Sequence, residues 1–183
     1  MSSFLCTVGH STRSIEDFIQ LLQAHGIRVL VDVRAIPYSR RNPQFNSEAL
    51  ATSLARAGLR YCPIAALGGR RKSRKDSTNL GWRSPGFRGY ADYMQTGPFR
   101  EALEGLMVRA QAEPTAIMCA EAVPWRCHRS LIADALVSRG WTVRHILTTA
   151  KADQHALTSF AKLQNGTLTY PAPDASVQAS SLF

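Results

Sequence analysis

Two Cys, one Glu, one His and two Arg fall within eleven residues of this chain, from Cys119 to Arg129. Together they could carry thiol chemistry. Cys119 or Cys127 would attack an electrophilic centre, Glu121 or His128 would move a proton, and Arg126 or Arg129 would hold an anionic substrate. Cys127 lies next to His128 and between two Arg, near an expected helix start, and both features favour a thiolate. It is therefore the thiol expected to have the depressed pKa. Cys119 closes an apolar run from Ala116 and has the bland alternative of a small core residue. Glu121 either pairs with Arg126 or Arg129 or accepts a proton.

Other candidates lie far away in sequence. His10 in Gly9-His10-Ser11 follows a residue that permits a sharp turn, and it is a second candidate proton shuttle. Asp32 ends an apolar run; it could orient a His, accept from a ribose hydroxyl, or simply pair with Arg34. The net charge of +9 is unevenly placed, with twelve Lys or Arg against Glu48 and Asp76 between Arg34 and Arg88. Such a block attracts polyanions, phosphate above all, although a solvated face has the same composition. Ser11, Arg34, Arg70, Arg71, Lys72, Arg126 and Arg129 are the expected anion-binding residues. Trp82, Phe87 and Tyr90 interleave with the cations and could stack bases, as in a non-catalytic nucleic-acid-binding module.

These residues must be brought together by alternating strands and helices. Apolar runs near Leu5–Val8, Ile27–Val33, Leu59–Ile64, Thr115–Cys119 and Trp141–Leu147 alternate with helical spacings. Ser14 and Asp17 form a capping-box pattern, and Gly26 ends the helix that follows. Pro63 places its strand near an edge. The pattern predicts an α/β fold: an open, mostly parallel sheet of about five strands with helices on both faces, a Rossmann-like three-layer sandwich. One domain is expected over 1–150. A basic loop insertion at about 65–89 would be mobile until an anion binds, with Gly68-Gly69 as its hinge. A C-terminal helix over 151–170 would pack on the domain, before a disordered tail over 171–183. In a parallel sheet the carboxyl ends of the strands share one edge. His10, Asp32, Cys119, Glu121 and His145 would meet there.

The motifs Thr7-Val8-Gly9-His10-Ser11, Asp32-Val33-Arg34, Leu67-Gly68-Gly69, Met118-Cys119-Ala120-Glu121 and Cys127-His128-Arg129 resemble a widespread bacterial family, domain-of-unknown-function family 488. The resemblance covers roughly residues 4 to 150. It implies a cytosolic single-domain α/β protein and brings no established activity.

No apolar run approaches the ~20 residues that span a bilayer. The first residues lack the pattern of a signal peptide. A cytoplasmic protein with reduced Cys is expected, acting on a phosphate-bearing small molecule or nucleic acid; oligomeric state is not legible. A Cys at a strand end before an Arg-bearing loop is similar to rhodanese and phosphatase loops. Those space Cys and Arg by five residues, whereas six separate Cys119 from Arg126. A Zn or Fe site of Cys119, Cys127, His128 and His10 is the alternative. It is disfavoured because adjacent residues on a helix point roughly 100° apart. The expectation is a metal-free pocket with no cofactor.

Overall fold

The computed structural model describes residues 3–173. Its centre is a six-stranded sheet in the order β3-β2-β4-β1-β5-β6. The strands are β1 (Phe4–Gly9), β2 (Val29–Asp32), β3 (Arg60–Pro63), β4 (Thr115–Cys119), β5 (Thr142–Ile146) and β6 (Ala152–Gln154). The first five are parallel, and β6 adds antiparallel to β5. The helices are α1 (Ile15–Ala24), α2 (Ser47–Arg56), α3 (Pro85–Met94), α4 (Gly97–Ala112) and α5 (Arg129–Val137). The α/β expectation holds, with one more strand than the five expected. The predicted C-terminal helix is replaced by β6 and a hairpin of β7 (Lys162–Gln164) and β8 (Thr167–Thr169). The Asn165-Gly166 turn, with φ of 49° and 75°, closes this hairpin, a turn chemistry that outweighs the weak helical spacing before it. The expected tail from 174 onward lies outside the described residues.

Two apolar layers explain why the strands read as unbroken hydrophobic runs. Cys6, Val8, Leu30, Ala116 and Met118 face one side and bury Phe18 and Leu22 of α1 with Leu50 and Leu54 of α2. Leu5, Val29, Val31, Ile117 and Val143 face the other side and bury residues of α3, α4 and α5. The helix boundaries follow the local chemistry. The Ser14 hydroxyl accepts from Asp17 N–H at 3.0 Å, and Gly26 ends the α1 turn in the left-handed region at φ 66°.

The topology places the crevice. Neighbouring β1 and β4 feed helices on opposite faces, α1 on one and α5 on the other. Their outgoing loops diverge, so a gap opens outside the carboxyl ends of this pair, the position where open α/β sheets bind ligands.

Candidate active site

The loops leaving β1 and β4 are joined beyond the strands: His10 N–H donates to Cys119 O at 3.0 Å and Ser11 N–H to Ala120 O at 2.9 Å. Gly9 makes this possible, since a Cβ there would lie 1.8 Å from the Glu121 carbonyl oxygen. Cys119 and Cys127 lie in the wall of a cavity of about 390 Å³, together with Arg34, Arg70, Phe87, Tyr90, Glu121, Arg126 and His128. Phe87 and Tyr90 thus serve as walls; Trp82 stacks on Phe87 at 4.9 Å, and Tyr90 is buried.

Cys119 collects the donors. The Cys127 thiol hydrogen-bonds it, the Arg129 charge lies near, and Glu121 N–H points at its Sγ from 3.4 Å. In that order these outweigh burial and bring the Cys119 thiol down to about 7. Cys127 moves the opposite way. Burial, and then its service as donor to Cys119, push its thiol well above the ordinary range. The expectation that Cys127 is the thiolate is therefore reversed. Arg126 is exposed and does not act on Cys127, and the Arg129 charge that does is outweighed by burial.

His128 is fixed as a neutral imidazole with its proton on Nε2. Its Nε2–H donates to Val33 O at 2.9 Å, which leaves Nδ1 facing Cys127 Sγ at 3.6 Å. Burial lowers its pKa to about 4. Gly69 packs on the same ring, where a Cβ would meet Nδ1 at 3.0 Å. That contact is what the second Gly of Leu67-Gly68-Gly69 supplies. The next residue, Arg70, takes a φ of 60°, a left-handed conformation uncommon for a residue with a Cβ. Donor atoms of Cys119, Cys127 and His128 all lie within 4.8 Å of one another, a spacing that a soft metal ion could bridge. Helix geometry does not separate Cys127 from His128 as expected, because Cys127 is in extended backbone, φ −136° and ψ 146°, ahead of α5.

His10 is not part of this cluster. Its Nδ1–H donates to Ser11 O at 2.8 Å, its Nε2 accepts from Arg34 at 3.4 Å, and its ring stacks on Phe45 at 4.2 Å. Both nitrogens are engaged, burial lowers its pKa to about 4, and the expected proton shuttle becomes a packing residue. Ser11 does not reach the cavity. Asp32 takes the ion-pair alternative: Arg34 donates to it at 2.6 to 3.1 Å, and Tyr61 Oη at 2.7 Å. Burial opposes the Arg34 charge, yet the Asp32 carboxylate holds its pKa up.

Arg129 is the counterpart. It is 1% exposed, donates to Thr7 Oγ1 at 3.0 Å and to Glu121 O at 2.6 Å, and its Nε has no hydrogen-bond partner among the described residues. Among the described residues no carboxylate pairs with it. Glu121 therefore contributes its backbone to Arg129, while its side chain stands exposed at the cavity.

The basic segment is anchored in the structure, contrary to the expected mobility. Asp92 accepts from Arg74 N–H, Ser77 Oγ and Asn79 Nδ2 at 2.6 to 2.8 Å. Arg71 donates to Gly68 O at 3.0 Å and lies over the Tyr93 ring. Helix α3 already begins at Pro85, within the expected loop. Of Arg70, Arg71 and Lys72, only Arg70 lines the cavity.

A family described as "Domain of unknown function DUF488" matches residues 14–136. The chain belongs to the DUF488 family. No curated protein and no solved structure matches it. The DUF488 match spans Asp32, Arg34 and the whole Cys119–Arg129 segment, while His10, Ser11 and His145 lie outside it. His145, expected at the same crevice, instead lines a second cavity of about 410 Å³ with Trp82, Trp125 and His155. Sequence reasoning missed Thr7, Asp134, His155 and Tyr170, which connect to Arg129. Asp134 carried a usable signal, a lone carboxylate inside the apolar run Leu131–Leu136.

Proposed function

We propose that this DUF488 protein is an enzyme whose Cys119 thiolate attacks the phosphorus of a nucleotide or nucleic-acid phosphate at the carboxyl edge of the sheet. An S–P bond forms as a P–O bond breaks, the leaving oxygen takes up a proton, and water then cleaves the S–P bond to release phosphate and the thiol. One observation carries the reading: a buried guanidinium without a carboxylate partner lies beside a buried thiol. Burying an isolated charge costs several kcal/mol, so a neighbouring anion is strongly favoured, and the Cys119 thiolate is that anion. Arg70 and Arg126 line the cavity, have no side-chain partner among the described residues, and offer forked donors to phosphate oxygens. Glu121, exposed at the cavity, is placed to exchange a proton with a leaving group or water.

A second reading has its own observation. Cys119, Cys127 and His128 converge, and the His128 Nε2–H bond to Val33 O is the support that a metal-bound imidazole usually has. One experiment separates the two. The purified protein, made without added metal or chelator, is analysed for metals and then incubated with nucleoside phosphates and phosphate esters. A covalent adduct on the Cys119 peptide, absent from Cys119→Ser, supports the thiolate. Near one equivalent of Zn or Fe, lost in Cys119→Ser, would replace it with the metal reading.

A further inference from the structure

We propose that Thr7, His145, His155 and Asp134 form a one-way hydrogen-bond relay that positions Arg129 against Cys119, making all four positioning residues of the site. The inference rests on the reading of Cys119 as the reactive group. The chain of contacts is unbroken. Arg129 Nη1 reaches Thr7 Oγ1 at 3.0 Å, and Thr7 Oγ1 reaches His145 Nδ1 at 2.7 Å. His145 Nε2 reaches His155 Nδ1 at 2.9 Å, and His155 Nε2 reaches Asp134 Oδ1 at 2.8 Å. Tyr170 Oη closes the far end on Asp134 Oδ2 at 2.8 Å.

The direction follows from the chemistry of the groups. A guanidinium only donates, so Thr7 accepts from Arg129. The buried Thr7 hydroxyl has His145 Nδ1 as its acceptor, which puts the His145 proton on Nε2. That proton goes to His155 Nδ1, which leaves His155 to donate through Nε2 to the Asp134 carboxylate. Every donor points from the cation towards the anion. With Nη1 held by Thr7 and Nη2 by the Glu121 carbonyl, the planar guanidinium has a single orientation.

The arrangement has a use that a direct ion pair would not. A carboxylate bonded to Arg129 would repel a thiolate at Cys119. The relay instead places the negative charge at Asp134, behind two imidazoles and a hydroxyl. Thr7 and Asp134 are fully buried, so the polar chain crosses the interior where apolar side chains would pack at less desolvation cost. His145 and His155 line the second cavity, whose lining does not include Cys119.

The test uses the full chain. Ring ¹⁵N shifts read the tautomers, and pH-dependent alkylation with iodoacetamide, localised by mass spectrometry, reads Cys119. Both His145 and His155 are expected as Nε2–H tautomers. Thr7→Val keeps the shape and removes the hydroxyl; Cys119 alkylation at pH 7 should fall about fivefold, the loss of thiolate when a thiol at about 7 rises by one pKa unit, with the rate above pH 10 unchanged. Thr7→Ser should restore it. If Thr7→Val does not fold, His155→Phe at the far end should give the same direction of change. An Nδ1–H tautomer at either ring, or an unchanged Cys119 rate in the folded variants, overturns the relay. A wild-type Cys119 that titrates like a free thiol instead overturns the reading of the site, whichever tautomers are found.

Discussion

Arg34 and Arg129 are both buried guanidiniums at the carboxyl edge of one sheet, and their surroundings are opposite. Arg34 has the Asp32 carboxylate, the Phe45 carbonyl and His10 around it, and each of its side-chain nitrogens has a partner. Arg129 has a hydroxyl and a carbonyl and, among the described residues, an unpartnered Nε and no carboxylate. A cation already neutralised holds the loops in place. A cation left with unspent charge acts on whatever lies next to it, and here that is Cys119. The contrast separates a buried charge paired with a carboxylate from one that is not, without reference to sequence motifs.

The largest expected effect breaks the framework side. Asp32→Ala leaves Arg34 buried and unpaired and should cost about 3–5 kcal/mol in denaturant unfolding. The alkylation midpoint of Cys119 should stay in place if the two cations are independent. A midpoint that moves with Asp32 would merge the two networks into one.

On the functional side, Arg129→Met should return the Cys119 thiol towards the ~8.5 of a free Cys, on the order of tenfold or more in rate at pH 7. Stability should hold or rise, because an apolar side chain replaces a buried charge that has no carboxylate partner among the described residues. A loss of several kcal/mol would show that Arg129 is framework like Arg34.

The depressed Cys119 pKa also has a stability signature. A thiol lowered from an ordinary 9.0 to about 7 binds its proton less tightly when folded than unfolded. Its contribution is fully present above about pH 9, and is lost as pH falls through about 7. The stability difference between wild type and Cys119→Ser, followed by urea unfolding, should therefore widen between pH 7 and 9. A flat difference would remove the thiolate from the site.

The smallest effects sharpen the division among surface cations. Arg70→Ala and Arg126→Ala should each weaken binding of a phosphate ester by roughly tenfold, as loss of a charged hydrogen bond predicts. Arg71→Ala should leave it unchanged, since Arg71 is turned onto Tyr93. Equal losses for all three, measured by calorimetry, would mean that only net charge matters.

The sequence by itself determined the α/β architecture, the edge position of β3 and the address of Cys119 and Glu121, because burial period, Pro, Gly and capping residues act locally. It also marked Gly9 as a turn and Gly69 as a hinge, whereas what requires a Gly at each is the Glu121 carbonyl and the His128 ring, 112 and 59 positions away. Tertiary structure alone decided which Cys is acidic, because burial and the direction of the Cys127 hydrogen bond outweigh the neighbouring charges that a linear reading counts. It likewise decided that His10 is locked, and that Arg71 faces an aromatic ring rather than an anion. The relay through Thr7, His145, His155 and Asp134 draws on β1, β5, α5 and the segment after β6. Hydrogen bonds between residues up to 138 positions apart leave no period or spacing in the chain, so only the packed sheet and α5 bring them into line.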